Sequence, residues 1–190
     1  MTEKDNRQTT VVAPRDQANW AKQTDAAHVS AVPSGARNLN VEGKQASGPL
    51  QGFGPMWQKT YRVRLVGSGA TPREVIAAWK ENFAKFWPPK NKFYAPLTGI
   101  APGEAALINS SLPGGMPLST GVMVLYADDE SFTLMTTQGH PFPGVHRGAG
   151  AGAHAGKRSA LCHRYAIWRP SGRGQDLAVD AAIAGSALWS

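Results

Sequence analysis

The 190 residues carry 20 Lys and Arg against 13 Asp and Glu, a formal charge of +7, and 42% of them are hydrophobic. Only 17% are charged, while 21 Gly and 14 Pro interrupt the chain, which excludes a coiled coil. The single cysteine excludes a disulfide framework and a cysteine-rich zinc module. No apolar run reaches the roughly 18 residues that a membrane span requires. The opening MTEKDNRQTT has acidic residues and no apolar core, so no secretory signal is expected and a cytoplasmic location is.

Residues 1–56 contain large apolar side chains mostly singly, among them Val29, Val32, Leu39, Val41, Leu50 and Phe53. Such a segment does not repay the entropy of ordering its backbone unless something else covers it. It reads as largely disordered, or as an extended arm meandering over a domain surface. A turn or two of helix is the most that Asp16 to His28 offers.

Residues 57–142 hold the clearest structural signals. KTYRVRLV, from Lys59 to Val66, alternates as a half-buried strand with Tyr61, Val63 and Leu65 on one face. After Gly67-Ser68-Gly69, Thr71, Pro72 and Glu74 form a capping-box signal before a helix. That helix carries Val75, Ile76, Trp79, Phe83 and Phe86 on one side and stops near Trp87, before Pro88-Pro89. Residues 90–104 read as loop, and Ala105 to Asn109 as a short strand. STGVMVLY (Ser119 to Tyr126) and SFTLMTT (Ser131 to Thr137), joined by Asp128-Asp129-Glu130, form an antiparallel hairpin.

Residues 143–190 differ in character. Fifty residues from Pro141 onward hold 11 Ala and 8 Gly, with six Arg or Lys against two Asp. The run Gly148-Ala149-Gly150-Ala151-Gly152-Ala153 has almost no side-chain volume for a core. Leu161 to Trp168 suits a short strand, and Asp176 caps a thin, alanine-rich helix through Leu188.

The run from Thr60 to Pro88, TYRVRLVGSGATPREVIAAWKENFAKFWP, followed by Gly121 to Phe142, GVMVLYADDESFTLMTTQGHPF, resembles the START or Bet v 1-like (SRPBCC) superfamily, in particular its poorly characterised bacterial members. The resemblance is confined to 57–142, under half the chain. It implies a helix grip: a curved antiparallel sheet around a long C-terminal helix, often enclosing an apolar ligand. The expected class is therefore α+β, a partial or divergent helix grip with a packed helix. After Phe142 the chain departs from that pattern. The tail is either a divergent extension or the product of a shifted reading frame, and the second would leave it poorly ordered.

Tyr61, Val63, Trp79, Phe83, Phe86, Met123, Leu125, Phe132 and Leu134 are the candidate lining of an apolar pocket between helix and sheet. The same residues also read as a plain packed core, because periodicity does not separate the two. Binding or carriage of a small apolar molecule is the leading function. An interaction or structural domain without ligand, a cyclase- or aromatase-like enzyme, and a non-specific nucleic-acid-associated basic protein are the alternatives. The pI of 9.8 and the basic tail, Arg147, Lys157, Arg158, Arg164, Arg169 and Arg173, invite the last. These charges are sparse and no recognition fold is visible, so specific nucleic-acid binding is not expected. His140, His146, His154, Cys162 and His163 fit no compact metal motif. No catalytic constellation, metal or cofactor is assigned, and oligomeric state is not set by the sequence.

Overall fold

A computed structural model describes residues 16–51, 56–65, 69–87, 91–111, 114–140, 143–152 and 159–168. Among these residues seven strands form one antiparallel sheet: β1 (Met56–Arg64), β2 (Lys92–Tyr94), β3 (Ala105–Ser111), β4 (Pro117–Ala127), β5 (Ser131–Thr136), β6 (Gly144–Gly152) and β7 (Ser159–Trp168). Their order is β1-β7-β6-β5-β4-β3-β2. Helix α1 (Pro72–Asn82) follows β1, continues into a 3-10 turn at Phe83–Phe86, and packs on one face. That face is the inner one, and the opposite face is the outer one. The arrangement is α+β, a partial helix grip with an open sheet.

The helix begins where its cap chemistry dictates. The Glu74 amide donates to Thr71 Oγ1 at 3.3 Å, and the Thr71 amide donates to the Glu74 carboxylate at 2.7 Å. Pro72 occupies the first turn, where its missing N–H costs nothing. The Thr71 amide and hydroxyl hold the Glu74 carboxyl below its ordinary range. At the other side of the helix, Lys80 Nζ donates to the Asp128 carbonyl at 2.6 Å, and Arg73 meets Asp129 at 3.0 Å. These contacts tie α1 to the β4–β5 turn. The Arg73 pair is exposed and contributes little to stability.

Several elements depart from expectation. The stretch 90–104 contains β2, three residues that pair with β3 through Phe93 opposite Ile108. The Gly-Ala run forms β6, with Gly148 opposite Phe132 on one side and His163 on the other. The boundary expected at residue 142 thus falls between two neighbouring strands of one sheet. The C-terminal helix expected after Asp176 lies outside the described residues.

Residues 16–51 run as an arm across the outer face. Its helical parts are two 3-10 turns, Gln17–Asn19, capped by Asp16, and Pro49–Gln51. The arm doubles back on itself: the Ala27 amide donates to the Lys44 carbonyl and the Gly43 amide to the Ala27 carbonyl, both at 2.8 Å. Ala27, Val29 and Val41 pack on Ala105, Leu107 and Met123. Among the described residues no helix is long and apolar enough to cross a membrane.

Candidate functional site

Side chains alternate across a strand, so each strand contributes to two different surfaces. On the inner face, Ala106 and Ile108 of β3, Val122 and Val124 of β4, and Phe132 and Leu134 of β5 meet Val75, Ile76, Trp79 and Phe83. The aromatic rings touch one another. Trp79 lies 5.0 Å from Phe132, and Phe83 lies 4.9 Å from Phe93 and 5.4 Å from Phe132, all centroid to centroid. Trp87 stacks on Phe93 at 5.2 Å. Phe93 and Phe132 stand on β2 and β5, three strand steps apart, which in a flat sheet means about 14 Å. One ring reaches both because the sheet curls around the end of the helix.

The candidate pocket residues divide between the faces. Trp79, Phe83, Phe132 and Leu134 come together on the inner side, with Phe86 partly buried against them. Met123 and Leu125 do not join them: both sit in the outer cluster under the arm. The reason is register. Val124, not Met123 or Leu125, stands opposite Leu134, and a β-bulge between Val124 and Tyr126 turns both Leu125 and Tyr126 outward. A strand apolar on both faces gives no alternation from which to read this. Tyr61 and Val63 take positions in β1 opposite His163 and Leu161 of β7.

Sequence reasoning missed Thr120. It lies opposite Ile108, within the inner face, and is 2% exposed. Its Oγ1 has no hydrogen-bond partner among the described residues. Its neighbour Ser119, on the outer side, is fully engaged: Oγ donates to the Arg37 carbonyl at 2.6 Å and accepts from the Leu39 amide. Thr136 is likewise satisfied, donating to the Ser47 carbonyl at 2.8 Å. All three are buried, and what sets Thr120 apart is the lack of a partner among the described residues, which no local motif displays.

Two titratable clusters lie away from this surface. In the β4–β5 turn, burial raises the Asp128 carboxyl, but hydrogen bonds from the Tyr126 hydroxyl and from Glu130 and Ser131 outweigh it and hold the group below its ordinary range. In the arm, the Val29 amide and then His28 hold Glu42 low. Among the described residues no group of three or more His, Cys, Asp or Glu is placed to hold a metal.

No family model matches the chain, and no curated protein matches it. Solved structures do. A Deinococcus radiodurans protein, DR_A0006, is 9% identical, with 60% of this chain and 84% of that one aligned at a TM-score of 0.48. Ara h 8.0201 is 9% identical over 64% of this chain and 82% of its own, at 0.44. The di-domain ARO/CYC StfQ of the steffimycin biosynthetic pathway is 7% identical over 60% of this chain and 38% of its own, at 0.38. These are distant, partial likenesses.

Proposed function

We propose that this chain binds a small, predominantly apolar molecule on the inner face of its sheet. The observation that carries this reading is Thr120, a buried hydroxyl on the inner face without a partner among the described residues. An unsatisfied buried hydroxyl costs about 1–3 kcal/mol, which a ligand bearing one polar group recovers. The resemblance to helix-grip proteins agrees with a ligand between helix and sheet.

The test is titration of the purified chain with Nile red, a neutral dye that brightens in apolar surroundings, followed by displacement with decanol. Saturable, displaceable binding is expected. Thr120→Val preserves shape while removing the hydroxyl, so it leaves stability equal or higher and weakens decanol about fivefold. The mutual contact of Trp79, Phe83, Phe93 and Phe132 favours a second reading, an interaction domain with a filled core. Under that reading dye uptake is absent or unsaturable.

A further inference from the structure

The end of the sheet where β3 turns into β4 is built from sequence without a carboxylate. No Asp or Glu occurs between Asp25 and Glu42, between Glu81 and Glu104, or between Glu104 and Asp128, while the same stretches supply Arg37, Lys85, Lys90 and Lys92. Pairing brings two of these cations together. Lys92 of β2 stands opposite Asn109 of β3, and Asn109 opposite Ser119 of β4. The arm crosses this pair. The Arg37 amide donates to Asn109 Oδ1 at 3.1 Å, Ser119 Oγ donates to the Arg37 carbonyl at 2.6 Å, and the Leu39 amide donates to the same hydroxyl at 3.3 Å. Met116 directly precedes Pro117, whose pairing with Ser111 is the last between the two strands, and lies about 10 Å of strand from Ser119. Leu39 is 74% exposed and Met116 is 61% exposed. Arg37, Lys92 and residues 114–117 are exposed as well. Among the described residues neither cation has an ion-pair partner. Glu42, the next acid along the arm, is already engaged: its carboxylate accepts from the Val29 amide at 2.7 Å and meets His28 at 3.1 Å.

We propose that this tip docks on an anionic lipid bilayer, with Leu39 and Met116 entering the headgroup region and Arg37 and Lys92 meeting the lipid phosphates. Large apolar side chains left in water beside unpaired cations match such a surface on both counts. The apolar groups gain by leaving water, and the cations gain from the negative surface. A nucleic acid would reward the cations alone and leave the leucine and the methionine in water. The surface belongs to the arm and the β3–β4 turn, not to the inner face, so it stands independently of the ligand reading above.

The experiment is cosedimentation of the full chain with vesicles of phosphatidylcholine alone and of equimolar phosphatidylcholine and phosphatidylglycerol. Binding to the anionic vesicles, weakened by salt, is expected. Because the whole chain is basic, the deciding variant leaves its charge unchanged. Leu39→Ser combined with Met116→Ser should weaken binding about tenfold. Leu97→Ser alters a leucine that is 76% exposed in the loop where β2 runs away from the tip, and it should change binding by less than about twofold. Arg37→Gln and Lys92→Gln should each weaken binding to the anionic vesicles about fivefold. All five side chains are exposed, so near-UV circular dichroism should report an unchanged fold in every variant. Absence of binding to the anionic vesicles overturns the proposal. So does a Leu39→Ser/Met116→Ser chain that binds as the native one does, which would assign the attraction to net charge, or one whose loss Leu97→Ser equals.

Discussion

Gly148 explains how a strand of glycine and alanine belongs in a core. A Cβ there would lie 2.7 Å from Trp79 Cη2 and 2.9 Å from Phe132 Cε1. The indole occupies the volume that a side chain on β6 would fill, so the helix comes close to the sheet. Gly121 does the same on the opposite face, where a Cβ would meet Val41 Cγ2 at 2.8 Å, and Val41 is fully buried. Each glycine is thus half of a large–small pair, and the sequence around it is poor in volume because its partner supplies the volume. Gly148→Ala is expected to cost about 1–3 kcal/mol, the usual penalty of overpacking. A shift of the urea midpoint with unchanged slope would report it. An unmoved midpoint would mean that Trp79 is free to leave the strand.

At the scale of elements, the β4–β5 hairpin and its turn are the best-determined unit. Asp128 Oδ1 accepts from the amides of Glu130 at 2.8 Å and Ser131 at 2.6 Å, and its other oxygen accepts from the Tyr126 hydroxyl. The carboxylate closes the turn that also receives Lys80. Because its folded pKa lies below its ordinary value, it contributes stability that is fully present above the unfolded pKa and is lost as pH falls through the folded one. Stability measured between neutral pH and the acid side of the carboxylate range should therefore fall in the native chain. In Asp128→Asn the stability should start lower at neutral pH and fall less. Parallel pH profiles would show that the charge is unimportant to the turn. The hairpin and the capped helix were legible in the sequence because turn residues, caps and periodicity are local. The faces of β4 were not, since Val122 to Leu125 are apolar without alternation and the bulge is set by pairing with β5. Strand β6 was hidden for a related reason: its contribution to the core is the space it leaves. The three-residue β2 is too short to show a period and is fixed by its pairing with β3 and by Phe93 reaching Phe83 and Trp87.

For the molecule as a whole, the arm decides whether the sheet has one covered face or two. Without it, Leu107 and Met123 would stand open to water, and the bulged Leu125 carbonyl would lose the Ala21 amide that donates to it at 2.8 Å. Trp20 packs against Tyr126 with the rings tilted and their centroids 4.9 Å apart, although the indole is itself 45% exposed. Further along, the Ser47 amide donates to the Thr136 carbonyl at 2.7 Å, and Ala46 forms a bridge with Thr137. The arm therefore fastens to both ends of the β4–β5 pair, with Val41 seated between them. Burial of this kind couples opening of the arm to loss of the sheet's own packing. Native-state hydrogen exchange should find the Ala21, Ala27 and Ser47 amides protected to within about tenfold of the Val124 amide, which is bonded inside the sheet to the Glu104 carbonyl. Val41→Ala should lower the protection of all four together. If the three arm amides instead exchange at the rate of unfolded chain while Val124 remains protected, the arm opens on its own and the outer face is intermittently bare.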